Sequence, residues 1–407
     1  MKHVLLIIGL CLATTVGFAQ KAAVSGAERL SKDQKSDINE ARNLIKGAMS
    51  NAETKDDPNT WFVAGQIEDA QFNRENTKQL MGQAPNEPLM YEALANALPF
   101  FKKAYELDQL PNAKGKVAPK YTKNIKGILS ANHIYFMNAG GYYFDERNYQ
   151  KAYDMFENYI EITNLPLFAG DKTAVKDSNF MMAQFYSGAV ATMLNNHELA
   201  VKSLSRAKDT PFRQYDIYTY LTYEYDQQKD SVNLEKTLDE GMRLFPDSSF
   251  FMFNLINTYI YSDRNDQAVN LLTAAIAKNP TDPELYNALG SVYESGYEDF
   301  IKAEECYNKS LELDPENPAS HSNFGRIYYN QGIGKLNDAN TINDVQEYNA
   351  IKETALDLLR KGLPYFEKAH QLDPSNFDVM IGLRGIYYQL EMGDKYNEIE
   401  AKMQGGR

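Results

Sequence analysis

The side chains able to do chemistry are few and far apart. Four histidines lie beyond the first residues, His133, His197, His321 and His370, and none has a second His or a Cys at the spacing a metal needs. Without an acid, base or ligand partner nearby in the chain, each reads as a packing or surface residue. Cys306, beside Tyr307, reads as a small buried hydrophobe rather than a nucleophile. Gly332-Ile333-Gly334-Lys335 superficially resembles a phosphate loop, but it lacks the full spacing, a preceding strand and the hydroxyl after the lysine. The run from Asp226 to Asp230 has neither the glycine nor the closing glutamate of a calcium loop. Carboxylates are plentiful but scattered. These observations predict a protein that is not an enzyme, with no catalytic residues, no metal and no cofactor; an enzyme of unknown type is the remote alternative.

Charge narrows the partners. With 55 acidic against 42 basic residues the formal net charge is −13, which argues against nucleic acid, whose binding needs a clustered basic face, and disfavours adhesion to anionic lipid. At the start, Lys2 and His3 precede an apolar run from Val4 to Ala13 and then Gly17-Phe18-Ala19, the pattern of a cleavable signal peptide over 1–19 with the cut after Ala19. That run is half of the roughly 20 residues a spanning helix needs, so no direct membrane insertion is expected after cleavage. Cys11 follows Ile8-Gly9-Leu10, a poor match to a lipidation signal. The expectation is an exported, most simply periplasmic protein whose remaining cysteine, Cys306, forms no internal disulfide, leaving stability to packing.

The elements that would position any site declare themselves by a repeat. Met252, Leu255, Tyr259, Ala268, Leu272, Ala275 and Pro280 form one block, and Tyr286, Leu289, Gly290, Tyr293, Ala303, Tyr307 and Pro315 form the next, starting 34 residues later. Residues at i, i+3, i+4 and i+7 share a helix face, so each block reads as two helices in which small residues let the axes approach and Pro ends the second. The distance from Pro to the next leading residue is six in Pro246 to Met252, Pro280 to Tyr286, Pro315 to His321 and Pro374 to Met380. Tyr218, Leu221, Tyr225 and Leu238 fit with the same internal spacings, Phe136, Gly140, Tyr143, Ala152 and Phe156 also fit, and a fainter block keeps Gly188, Ala200 and Leu204.

These blocks, with Trp61, Ala64 and Gly65 as the most literal opening, resemble the tetratricopeptide repeat (TPR) family over most of residues 37 to 400. The resemblance implies an all-α, right-handed superhelical solenoid of antiparallel helix pairs, whose inner groove is lined mainly by the first helix of each pair. Carried onto this sequence, the family's groove positions are Tyr223, Asp226, Asn257, Ile260, Tyr261, Asn287, Ser291, Glu294, Arg326, Tyr329, Asn330 and Tyr388. Asn, Tyr and a lone Arg suit a peptide backbone or terminus. The lysine of the family's carboxylate clamp is missing, those positions reading Thr219, Phe253, Asn287, Ser322 and Ile381.

The organisation expected is a signal peptide at 1–19, a capping helix region at 20–60, divergent repeats with insertions at 61–166, a weak repeat at 167–214, clear repeats at 215–374 with an insertion at about 331–355, and a last repeat with a tail at 375–407. No Pro-, Gly- or Ser-rich linker divides the array, which predicts one continuous solenoid. Ile38, Ala41, Leu44, Ile45 and Ala48 look like a second helix lacking its first. Three stretches exceed the regular period, between Trp61 and Ala97, Pro111 and Phe136, and Tyr328 and Gly362; the first and third are either lengthened helices or functional insertions. The function expected is an interaction scaffold or adaptor of the bacterial cell envelope that holds a protein or peptide partner. The alternative is a glycan- or nutrient-binding envelope component, for which Trp61 would be the telling residue. A homo-oligomer is compatible with an apolar end face around Ile399, unless the tail caps that face.

Overall fold

The computed structural model describes residues 19–112, 114–170 and 176–405. The expected leader, apart from Ala19, lies outside the described residues, as do Cys11, Gly406 and Arg407. Every regular element among the described residues is helical, as expected for the all-α class. The helices are α1 (residues 19–32), α2 (Ile38–Ser50), α3 (Pro58–Leu80), α4 (Glu87–Asp108), α5 (Thr122–Asp145), α6 (Tyr149–Asn164), α7 (Ser178–Met193), α8 (His197–Ala207), α9 (Gln214–Gln227), α10 (Ser231–Leu244), α11 (Ser249–Tyr261), α12 (Asn265–Lys278), α13 (Pro283–Tyr297), α14 (Phe300–Leu313), α15 (Pro318–Ala339), α16 (Val345–Leu372), α17 (Phe377–Gln389) and α18 (Gly393–Gly405). The chain divides between Leu234 and Glu235, inside α10, into two compact units.

Tight turns within the pairs are built alike. In unit 1 the turns after α5, α7 and α9 place Arg147, Asn195 and Lys229 at positive φ, and in unit 2 those after α11, α13 and α17 do the same with Asp263, Glu298 and Glu391. The left-handed residue lets a following N–H reach back to an orphan carbonyl of the first helix, as in Asn148 to Tyr143 (2.8 Å) and Arg264 to Tyr259 (2.8 Å). The repeat's tyrosine thus stands where the first helix needs its carbonyl satisfied. Second helices start on side-chain caps such as Asn148, Asn196 and Asp299.

Small residues of the pattern sit under large ones. A Cβ at Gly65 would lie 2.5 Å from the Phe101 ring, and one at Gly290 would lie 2.5 Å from Tyr307. Glycine is required there by close approach of two helices. The leading residue has a second role. Trp61 Nε1 donates to Lys55 O (2.6 Å), Tyr286 OH to Pro280 O (3.1 Å), and His321 Nε2 lies 2.9 Å from Pro315 O. Each ties a first helix to a carbonyl six residues upstream, and in the second and third that carbonyl belongs to the repeat's Pro.

In unit 1, α2 is not the unpaired helix expected from sequence. Val24 and Ala27 of α1 pack with Ile38, Ala41 and Ile45 of α2 and Val63 and Ile67 of α3. The sparse apolar residues of 20–32 hid that partner. The first and third excesses are helix lengthening: α3 and α4 have 23 and 22 residues, and α15 and α16 have 22 and 28, against 13 to 15 in α11, α13 and α17. The second excess is shared between a longer α5 and a loop before it, where Asp108 accepts from the N–H groups of Lys120, Tyr121 and Thr122 (2.8–2.9 Å) and from Thr122 Oγ1 (2.8 Å). In unit 2, Ile399 is buried in one cluster with Phe366, Leu383 and Ile386, so α18 presents no apolar end face at that residue. No described helix is long and apolar enough to cross a membrane.

Candidate functional site

The first helices of unit 2 form a layer in which α11 touches α13, α13 touches α15 and α15 touches α17. Its middle is a polar network. Asn287 Oδ1 on α13 accepts from Ser320 Oγ (3.2 Å) and Asn323 Nδ2 (2.9 Å) on α15. Ser291 Oγ lies 3.2 Å from Tyr307 OH, and that hydroxyl donates to Glu294 Oε2 at 2.7 Å. Arg326 closes the set, its Nε and Nη2 donating to the two oxygens of Glu294 at 3.0 and 2.8 Å. Burial, followed by the Glu294 charge, raises the Tyr307 hydroxyl well above its ordinary value, and the bond to Glu294 raises Arg326 despite its partial burial.

Asn287, Ser291, Glu294 and Arg326, the central residues carried over from the family's groove, therefore spend their polar atoms joining α13 to α15 and α14. Tyr329 is half-buried and packs on Phe366 and against Gly385, where a Cβ would lie 2.5 Å from its hydroxyl. The remaining unit 2 positions are different. Asn257, Tyr261 (90% exposed), Asn330 and Tyr388 (68% exposed) face solvent on α11, α15 and α17, with no hydrogen bond to the described chain. Ile260 of α11 is half-buried.

In unit 1, Tyr223 and Asp226 are both exposed on α9. Tyr223 lines an open hollow of about 450 Å³ with Tyr220, Thr219, Asp216 and Thr192. Asp216 is held there by Arg213 Nε at 2.6 Å.

The histidines have structural surroundings. His133 stacks on Tyr159, with ring centroids 3.8 Å apart, and Nε2 lies 2.9 Å from the Tyr159 carbonyl oxygen; burial lowers its pKa. His197 Nδ1 meets Glu224 Oε2 at 2.7 Å, the carboxylate being fully buried. Burial, then Glu305, pushes the Cys306 thiol up to about 11, far from a reactive thiolate. Among the described residues no group of three His, Cys, Asp or Glu is placed to hold a metal ion. Sequence spacing missed the long-range pairs, such as Arg42 with Glu68 and Asn132 with Asp69, because nothing local marks a partner 26 or 63 residues away.

Stacked antiparallel helix pairs with a repeated turn, a repeated glycine contact and a repeated upstream tie define an all-α helical-repeat protein. Residues 299–332, which span α14 and the first two thirds of α15, match the family model described as TPR repeat. That stretch of the chain is a tetratricopeptide repeat by sequence, set within helix pairs of the same all-α kind. Among solved structures, a crystal structure of MamA protein is 14% identical, covering 45% of this chain and 92% of that chain at a TM-score of 0.35. YrrB, described as a TPR protein with an unusual peptide-binding site, is 16% identical over 49% of this chain and 95% of that one, at 0.34. A TPR repeats protein from Bacteroides fragilis NCTC 9343 is 16% identical over 63% and 98%, at 0.30. No curated protein sequence matches the chain.

Proposed function

We propose that this protein is a non-catalytic interaction scaffold of the bacterial cell envelope, and that unit 2 holds an extended segment of a protein partner along its layer of first helices. The observation that carries this reading is the contrast within that layer. Its central polar groups are bound to one another, while Asn257, Tyr261, Asn330 and Tyr388 keep their hydrogen-bonding atoms free. A floor already locked by its own hydrogen bonds loses little freedom on binding. Free carboxamides can pair with the N–H and C=O groups of an extended backbone, and exposed tyrosines offer flat contact with a hydroxyl at the tip. The envelope location rests on the pattern of residues 2–19. The glycan-binding alternative loses its best residue, because Trp61 is half-buried beside Phe100 and its indole N–H is taken by Lys55.

The test is crosslinking in the cell with affinity-tagged protein, beside a Tyr261→Ser/Tyr388→Ser variant and an Asn257→Ala/Asn330→Ala variant. Protein partners captured by the parent and lost in both variants are the expected result. Capture unchanged in both would overturn the proposed face, and binding to soluble polysaccharide without protein capture would favour the alternative. N-terminal sequencing of the envelope fraction should begin at Gln20; a chain retained in the cytoplasm with residue 1 intact would remove the envelope assignment.

A further inference from the structure

The lengthening of α3 creates a corner in unit 1. Arg42 of α2 reaches Glu68 of α3, and a turn and a half later Arg74 reaches the α1–α2 turn, so the rest of α3 and the start of α4 project past α2. Between the end of α1, that turn and the projecting helices lies a cavity of about 610 Å³, within the range of about 300–1,000 Å³ usual for small-molecule sites.

Its lining is unusual for an acidic chain. Lys32, Arg74 and Lys78 contribute three cations against a single carboxylate, Glu75. That carboxylate is already taken by Lys78 Nζ (2.8 and 2.9 Å) and by the N–H of Asn86 (2.8 Å), and Lys32 is paired with Glu28 (2.7 Å). Arg74 is held by neutral oxygens alone, Ser36 O at 2.9 Å, Asp33 O at 2.7 Å and Ser36 Oγ at 3.3 Å. Its charge has no carboxylate partner among the described residues, and its Nε–H is unspent. Beside it Gln71 is 8% exposed, lines the cavity and makes no side-chain hydrogen bond in the chain. Its amide atoms, unpaired in the chain, are open to the cavity rather than sealed from it. Leu89 supplies an apolar wall.

We infer that this corner binds a small organic carboxylate. Arg74 Nε–H and the Gln71 amide N–H donate to the anion, whose charge supplies the counter-charge that Arg74 lacks, and the carbon skeleton lies against Leu89. The inference concerns unit 1 and does not depend on segment binding by unit 2.

Calorimetric titration of the whole chain with pyruvate, succinate and D-glucuronate, with D-glucose as the uncharged counterpart of glucuronate, tests it. Saturable binding of at least one acid, no binding of glucose, and affinity reduced about tenfold by Gln71→Met are expected. The melting temperature of that variant should not fall, since the amide it loses has no partner in the chain. Silence from all three acids at millimolar concentration, equal binding of glucose, or unchanged affinity in Gln71→Met would each overturn the site. Arg74→Lys, which keeps the charge but not the planar fork, should weaken the same acid, and a variant binding as tightly as the parent would also count against it.

Discussion

Arg326 on α15 grips Glu294 on α13 with two parallel hydrogen bonds, at 3.0 and 2.8 Å, and the same carboxylate takes the Tyr307 hydroxyl from α14. Three helices from two successive pairs meet at one carboxylate that is almost fully buried. Arg326→Ala should therefore cost about 2 kcal/mol in urea unfolding. That is below the roughly 3–5 kcal/mol of a fully buried pair, because the arginine keeps partial contact with solvent. Arg326→Lys should recover part of the loss, since the ammonium cannot reproduce the two-point contact. Unfolding free energies equal to the parent in both variants would show that the network is not holding the helices.

Gly290 lies directly under the Tyr307 ring, where a Cβ would approach to 2.5 Å. Gly290→Ala should lower stability by about 1–3 kcal/mol through overpacking, even though alanine is the better helix former. Circular dichroism melts would show the sign, and a stabilised variant would refute the close-contact account.

Asp108 anchors the loop before α5. Burial alone would raise its pKa, but the three backbone N–H groups and the Thr122 hydroxyl outweigh it and leave the carboxyl below its ordinary value. The folded form therefore holds its proton less tightly than the unfolded chain. The stabilisation is complete above about pH 4 and is lost as pH falls through the lower folded value. Asp108→Ala should expose Lys114, Lys116 and Lys120 to faster tryptic cleavage at neutral pH, measured by mass spectrometry. Cleavage at the parental rate would mean that the loop is held by something else.

His133 has the opposite chemistry with the same direction of dependence. Burial against Tyr159 is the larger effect, outweighing the carbonyl bond and Asp177, and it lowers the pKa. Below about pH 6.5 the unfolded chain takes up a proton that the folded chain resists, so stability contributed by this site is present at higher pH and declines as the solution is acidified. His133→Gln should flatten the dependence of melting temperature between about pH 7.5 and about pH 5.5. His370, also lowered by burial and by Lys402, accounts for a remaining slope. An unaltered profile in a His133→Gln/His370→Gln double variant would exclude both.

The helix pairs are legible in the sequence because their marks recur at fixed spacings: the 34-residue period, the glycine opposite a ring of the paired helix and the leading residue six places after Pro all belong to one helix pair or its junction with the next. The candidate site was legible only in part. Offsets from a leading residue say which side of a helix a residue occupies, but not whether a neighbouring helix reaches it first. Asn287 and Glu294 are claimed by Asn323 and Arg326, whereas Asn257 and Asn330, chosen by the same rule, remain free. The segment before α2 was passed over because Val24, Ala27 and Leu30 are a thin stripe in polar surroundings. Gln71 carries no mark in sequence, since its lack of a partner emerges only when α1 and the projecting end of α3 enclose it.

The α15–α16 hairpin sets a minimum approach distance. At 1.5 Å per residue, 22 residues in α15 against 15 in α13 carry its tip roughly 10 Å beyond the neighbouring pair. Any broad, flat body brought up to that edge of unit 2 meets the turn between Asn340 and Asp344 before it meets the shorter pair, so the hairpin works as a fender, and shortening it would let large partners dock closer without altering the helices behind it.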